Sequence, residues 1–236
     1  WLVDWYFLFY CVVISLCCRF RAVCVFSSEC VCFCCCFFCF VCVFFVFFFF
    51  FFNDTATTEI YTSLFVGSVR MCIRDSYTAP AQIVIQGGSA GGLLVGAALN
   101  MRPDLWAGAI ADVPFVDVLT TILDDTLPLT PGEWSQWGNP IASQQAFEDI
   151  RAYSPYDNVT PQDYPPILVT AGVSDPRVTY WEPAKWVARL RATKTDDNIL
   201  MLRTNMTSGH FGKSGRFAAL EDAARSYAFA LKVTDR

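Results

Sequence analysis

Cysteine and proline are each missing from one part of this 236-residue sequence. All 12 cysteines lie between Cys11 and Cys72, and all 12 prolines lie between Pro80 and Pro183. The absence of cysteine from residue 77 onward excludes a disulfide framework or a cysteine-ligated metal site in that part. We therefore expect two segments of different origin to meet near residue 77, and the later one has the composition of an ordinary globular domain.

A basic surface is also missing. The chain carries 17 Lys and Arg against 22 Asp and Glu, a formal net charge of −5, and its cations form no stripe along the sequence. Proteins that bind nucleic acid through phosphate contacts concentrate Lys and Arg on one face. We therefore expect no nucleic-acid partner.

The first segment contains a long apolar run, residues 31–52, which could span a bilayer and make the chain membrane-attached. It lacks the flanking charges of an anchor and the cleavage site of a signal peptide. The cysteines of 30–42 lack the ligand spacing of a metal site. Phe, Cys and Val, which dominate the run, have T-rich codons, so translated low-complexity DNA is an alternative interpretation.

Three short stretches favour that interpretation. Residues 53–62 resemble one reading frame of a sequencing adapter, residues 65–69 resemble the adjoining read-primer arm, and residues 71–76 resemble a transposon end. The three follow one another in the order that they have in a sequencing library. We predict that residues 1–76 are a non-native leader, disordered or forming a spurious helix, before a domain at 77–236. Amplification from source DNA across this junction tests the prediction, and an intact amplicon would contradict it.

The stretch Gly87–Gly92 (GGSAGG) has the pattern of a sharp turn from a strand into a helix. It follows the apolar run 82–86 and precedes the helix-compatible stretch 93–100. Glycines beside Ser89 permit a strained backbone that larger side chains would obstruct. A strand, G-x-S-x-G and a helix are the parts of the nucleophile elbow of α/β-hydrolases. An ordinary glycine-rich turn is the alternative for the motif alone.

Further strands and helices alternate along the rest of the chain. The predicted strands are 107–113, 166–171 and 199–202; the predicted helices are 182–191 and 216–233; loops and short helices fill 114–165. Alternating strands and helices predict an α/β fold with a parallel sheet covered on both faces.

A serine nucleophile needs a base, and the base needs a carboxylate to orient it. His210 is the only histidine and follows the last predicted strand. Asp175 follows the penultimate strand, which gives the chain order Ser, acid, His of α/β-hydrolases. Other acids are rival candidates whose alternative roles are solvated charge or helix capping: Asp112, Asp117, Asp124 and Asp125.

Several further stretches fit one family collinearly. They are 87–92, 102–105, 113–118, 127–130, 137–140, 180–186 and 207–216. Together they resemble the C-terminal half of the peptidase domain in the prolyl oligopeptidase family of serine peptidases, in its oligopeptidase B group. The resemblance implies an α/β-hydrolase fold truncated at its N-terminal strands.

The resemblance also implies roles for six residues. They are Ser89 as nucleophile, His210 as base, Asp175 as its orienter, the Ala90 N–H as oxyanion donor, Arg177 as holder of a substrate carbonyl, and Glu133 as acceptor of a basic P1 side chain. A surface ion pair is the alternative for Arg177. No cofactor or metal is implied, and the location implied is cytoplasmic.

The implied function is a serine endopeptidase that cleaves short peptides after basic residues through an acyl-enzyme. The family usually has a second acid where this chain has Ser135, so we expect reduced selectivity for Arg and Lys. Nothing in 1–76 resembles the surroundings of the family's tyrosine oxyanion donor, its leading strands or its β-propeller. We therefore expect the chain as written to be impaired or inactive. The alternatives are a related esterase or acyl-peptide hydrolase, and a non-functional fragment or membrane-attached remnant.

Overall fold

The computed structural model of the protein describes residues 11–17, 20–26, 78–212 and 217–234. The strands are β1 (Cys11–Cys17), β2 (Phe20–Phe26), β3 (Ile83–Gly88), β4 (Trp106–Asp112), β5 (Ile167–Gly172) and β6 (Leu200–Asn205). The helices are α1 (Ala90–Met101), α2 (Val118–Leu123), α3 (Thr130–Trp137), α4 (Gln144–Tyr153), α5 (Trp181–Thr193) and α6 (Ala218–Thr234), with a 3₁₀ turn at Pro103–Leu105.

The strands form one sheet in the order β2-β1-β3-β4-β5-β6. Strands β3 to β6 run parallel to one another, and β1 is antiparallel to both β2 and β3. Helices connect the parallel strands, because a parallel pair cannot be joined by a tight turn. The predicted α/β class is confirmed, and each strand and helix predicted after residue 77 is present with its ends shifted by a few residues.

Successive side chains of β3 enter two separate cores, as the two-residue period of a strand requires. Ile83 and Ile85 pack in a core with side chains of α1 and α5, including the fully buried Trp186. Val84 packs in the other core, beside Phe229 of α6. The sheet is therefore covered on both faces, which is the arrangement that buries a parallel sheet.

The described parts of residues 1–76 have a secondary structure that differs from the predicted one. The sequence predicts disorder or a spurious helix, whereas 11–17 and 20–26 are strands. Strand β1 pairs with β3 from Ser15↔Ile83 to Cys11↔Gly87. An open strand edge is a template for any β-prone segment, and β1 contains Val and Ile, which favour strands. The apolar run 31–52 and the cysteines of 30–42 lie outside the described residues.

Helix α5 begins slightly earlier than predicted. The sequence places Pro183 at the first helical position, whereas the helix starts at Trp181 and Pro183 is its third residue. The third position still belongs to the first turn, where backbone N–H groups have no intrahelical acceptor, so proline is tolerated. Within the described ranges, no helix combines the length and apolarity needed to cross a membrane.

Candidate active site

Ser89 occupies a strained turn between β3 and α1. Its backbone has φ 56° and ψ −123°, outside the regions that a residue with a side chain ordinarily adopts. A Cβ on Gly87 would lie 2.3 Å from the Gly91 carbonyl oxygen, and one on Gly92 would lie 2.4 Å from Cβ of Pro114. The glycines are therefore required by close packing, and the elbow has the shape that the motif predicts.

His210 and Asp175 form a close pair on neighbouring loops. His210 Nδ1 lies 2.7 Å from Asp175 Oδ2, and both side chains are almost completely buried. The other carboxylate oxygen of Asp175 accepts the backbone N–H groups of Arg177 at 2.8 Å and Val178 at 3.0 Å. The carboxylate is held by these two bonds, so it orients the imidazole with Nδ1–H toward Asp175 and Nε2 available as a base.

Two glycines allow these loops to touch. The loops follow the adjacent parallel strands β5 and β6, so they emerge at the same edge of the sheet. A Cβ on Gly172 would lie 2.7 Å from the Ser208 carbonyl oxygen, and one on Gly209 would lie 2.9 Å from the Ser174 carbonyl oxygen. Backbone therefore packs on backbone here, and this contact brings His210 to Asp175.

A cavity of about 470 Å³ lies beside the elbow. Four of the predicted site residues line it: Ser89, Ala90, Glu133 and Arg177. His210 and Asp175 are not among its lining residues, and within 78–212 no hydrogen bond joins Ser89 to His210. The structure thus pairs His210 with Asp175 but does not join them to Ser89; in enzymes without bound substrate, catalytic hydrogen bonds are often long and tighten only in the complex. Arg177 links the His210–Asp175 pair to the cavity. Its backbone N–H donates to Asp175, and Arg177 also lines the cavity together with Ser89.

The cavity combines aromatic walls with carboxylates. Phe115 and Trp137 line it, with ring centroids 5.5 Å apart. Burial raises the pKa of Glu133, against the lowering effects of a hydrogen bond from Trp137 and the positive charge of Arg177. Glu182 also lines the cavity. A cavity of this kind suits a long side chain with an apolar stem and a cationic end.

A model of the prolyl oligopeptidase family matches residues 63–236, most of the chain. The chain belongs to the prolyl oligopeptidase family. The match begins upstream of residue 77, where the sequence predicts the start of the domain.

Relatives in this family include Protease 2 of Moraxella lacunata, 54% identical over 167 residues that make up 71% of this chain and 24% of the relative. Dipeptidyl aminopeptidase BI of Pseudoxanthomonas mexicana is 46% identical over 71% of this chain and 23% of the relative. The chain therefore spans about a quarter of the length of the curated relatives it matches.

Solved structures of the family have the same fold. Oligopeptidase B from Leishmania major superposes with a TM-score of 0.72 and 48% identity, over 73% of this chain and 24% of that one. Oligopeptidase B from Trypanosoma brucei, in a closed form with covalently bound antipain, superposes with a TM-score of 0.71 and 50% identity, again over 73% of this chain and 24% of that one. The predicted α/β-hydrolase fold and family resemblance are confirmed.

Two of the rival acids have roles that differ from prediction. The sequence favours solvated charge or capping, whereas Asp112 is partly buried and accepts hydrogen bonds from the Gln86 amide at 2.7 Å and the Thr170 hydroxyl at 3.0 Å. Burial raises the pKa of Asp112. Asp117 is fully buried and forms an ion pair with Lys185. Both acids connect separate elements of the fold, and sequence spacing does not reveal such tertiary contacts.

Glu182 is a cavity residue that the sequence analysis does not single out. Its carboxyl is fully buried, accepts the backbone N–H of Asp117 at 3.1 Å, and accepts the Thr121 hydroxyl at 2.7 Å. Burial raises its pKa to about 8. In the sequence, Glu182 marks only the start of helix α5. The one indication of its burial is that an acid falls within a mostly apolar helix face.

We expect Gly209→Ala to slow acylation of Ser89 by roughly 10²-fold, because the added methyl forces the His210 loop away from Asp175. The measurement is the rate of covalent labelling by a serine-directed fluorophosphonate, followed by intact mass. Gly132→Ala is the matched control, since a Cβ there meets nothing within 4 Å. Labelling of Gly209→Ala at the unmodified rate would show that the close backbone contact does not set the His210–Asp175 geometry.

Proposed function

We propose that this chain carries the catalytic serine, acid and base of an oligopeptidase that hydrolyses short peptides by an acyl-enzyme mechanism. The observation that carries the proposal is the buried His210–Asp175 pair, 2.7 Å apart, on loops that emerge at the same edge of the sheet as the strained Ser89. His210 Nε2 takes the Ser89 proton as Oγ attacks the peptide carbonyl, then passes it to the leaving amine. Water completes the cycle by the same route.

The tetrahedral intermediate needs donors for its oxyanion. Ala90 is the first residue of α1, where backbone N–H groups have no acceptor within the helix and the positive end of the helix dipole lies. Its position directly after Ser89 is the place where an α/β-hydrolase supplies one oxyanion donor. We assign this role to the Ala90 N–H.

Substrate selection is assigned to the cavity. Glu133 supplies a carboxylate for a basic side chain at P1, the residue whose carbonyl is attacked, and the aromatic walls contact its methylene stem. Arg177 lines the same cavity and holds a substrate carbonyl. Because this cavity takes the P1 side chain, we place that carbonyl on the acyl side of the cleaved bond. The positive charge of Arg177 interacts with the Glu133 carboxylate and so competes with a basic P1 side chain. This competition supports the weaker selectivity for Arg and Lys that we expect with Ser135 in place of a second acid.

The direct test is to map the labelled residue. The full chain is treated with a fluorophosphonate and with a peptidyl-arginine diphenyl phosphonate, and the adduct is located by peptide mass spectrometry. We expect a single adduct on Ser89 with both reagents, formed slowly because the chain as written is expected to be impaired. Modification of a different serine, or no modification, contradicts the proposed nucleophile. A panel of peptide and ester substrates then distinguishes a peptidase from a related esterase.

Glu133→Gln is expected to remove most of the preference for Arg at P1. The amide keeps the shape of the side chain but not its charge, so the ionic attraction and the bidentate carboxylate contact with a guanidinium are lost. We expect the ratio of labelling rates for arginine and norleucine phosphonates to fall about tenfold. Glu148→Gln is the control, because Glu148 is exposed and does not line the cavity. An unchanged ratio would refute the role of Glu133.

We also propose that the catalytic domain begins near residue 77. The packed sheet supports this, since β3 is the first of its parallel strands and starts at Ile83. The family match begins at residue 63, so the exact boundary lies between residue 63 and the start of β3 at Ile83. Amplification across the junction, as described above, is the test.

A further inference from the structure

Phe211 lies beside His210 with its ring in solvent, at 87% exposure. Single exposed apolar residues are common on protein surfaces and need no explanation by themselves. The position of Phe211 is the informative feature. It belongs to a four-residue turn, Gly209 to Gly212, closed by a 3.2 Å bond from the Gly212 N–H to the Gly209 carbonyl. One tight turn thus holds both His210 and Phe211.

The ring contacts two residues of the proposed site. Its centroid lies 5.3 Å from that of His210 with the rings nearly perpendicular, an edge-to-face arrangement. The Arg177 guanidinium carbon lies 5.5 Å from the same centroid, within the range of a cation–π contact. Phe211 therefore lies between the base and the cation that lines the cavity, with one face open.

The contact with Arg177 indicates which part of a peptide meets this ring. The cavity accommodates the P1 side chain, and Arg177 is assigned to a carbonyl on the acyl side of the cleaved bond. A ring packed on that guanidinium faces the acyl part of the substrate. Its contact with His210 keeps it close to the reacting bond, and the residue that satisfies both conditions is P2, the neighbour of P1.

We propose that Phe211 forms a binding surface for an apolar P2 side chain, such as Leu, Val or Phe. The inference rests on the proposed function of the same site. An apolar P2 side chain would cover the exposed ring and remove apolar surface from water. Because the turn fixes Phe211, little conformational freedom is lost when the side chain binds.

The test measures covalent labelling of Ser89 by Xaa-Arg diphenyl phosphonates, with Xaa as Leu, Phe, Gly or Ser. Ser89 Oγ bonds to phosphorus, one phenoxide leaves, and His210 takes the hydroxyl proton, so the probe has no residue on the leaving side. We expect the Leu-Arg probe to react about three- to tenfold faster than Gly-Arg. In Phe211→Ala the ratio should approach one, and Phe211→Leu should retain most of it.

Phe217→Ala is the matched control, since Phe217 is another exposed aromatic, at 74%, outside the turn. A Leu-to-Gly ratio unchanged in Phe211→Ala overturns the inference, as does an equal loss with every probe. A panel of peptides that vary the residues on both sides of the cleaved bond is the second test. If Phe211→Ala changes only the preference for the residue after the cleaved bond, the inference is also overturned. Failure of every probe to label the unmodified chain counts against the proposed function itself.

Discussion

Asp175→Asn is expected to slow acylation of Ser89 by about 10⁴-fold while the fold remains intact. The Asn carbonyl oxygen can still accept the N–H groups of Arg177 and Val178. Its amide then points N–H donors at His210 Nδ1, in place of the carboxylate oxygen at 2.7 Å. The imidazole must carry its proton on Nε2, so it cannot accept the Ser89 proton. The measurement is fluorophosphonate labelling, with thermal unfolding to confirm folding.

Asp125→Asn is the control for this experiment. Asp125 is exposed, and the same change of charge there should leave the labelling rate unaltered. A folded Asp175→Asn protein that labels at nearly the unmodified rate would exclude Asp175 as the orienting acid. The partly buried Asp112 would then be the next acid to test, because it lies at the end of the strand beside the elbow.

Glu182→Gln is expected to change how stability depends on pH. Burial raises the pKa of Glu182 from 4.5 to about 8, so the folded chain keeps this proton over a range where the unfolded chain has lost it. Its stabilising effect is complete below pH 4.5 and is lost as pH rises through about 8. One pKa unit corresponds to about 1.4 kcal/mol, so roughly 3–5 kcal/mol of unfolding free energy should disappear over this interval.

The Gln variant removes that titration and can keep both contacts. Its carbonyl oxygen can accept the Asp117 N–H, and the Thr121 hydroxyl can rotate to accept from the amide. Urea unfolding at pH 5, 7 and 9, followed by tryptophan fluorescence, should show a flatter profile for Glu182→Gln. Glu133 and Asp112, whose pKa values are also raised, remain in both proteins, so the difference between the profiles isolates Glu182. Parallel profiles would show that Glu182 is already ionised at neutral pH.

Local sequence was sufficient to predict the elbow and the order of elements after residue 77. Glycine spacing around Ser89 reflects a backbone conformation, and alternation of apolar strands with helices reflects a parallel sheet, so each has a short-range signature. Asp175 and His210 were paired from their positions after successive strands. Their observed separation of 2.7 Å agrees with that argument.

Other features depend on contacts that sequence spacing does not encode. Asp117 meets Lys185 and Glu182 meets Thr121 across more than 60 residues, so their burial arises from tertiary packing. Strand β1 was missed for a different reason. Its pairing depends on the open edge of β3, a property of the assembled sheet, whereas composition and the adapter-like stretches favour a disordered leader or a spurious helix.

The turn that carries His210 has consequences for how this fold could diverge. A side chain at position 209 meets the neighbouring backbone, and position 212 has φ 77°, which favours glycine. Position 211 is the only one of the four that is neither catalytic by assignment nor sterically restricted. Substrate preference can therefore be altered by a single codon at 211, without disturbing the acid–base pair beside it. In a directed-evolution library, position 211 is accordingly the place to randomise first.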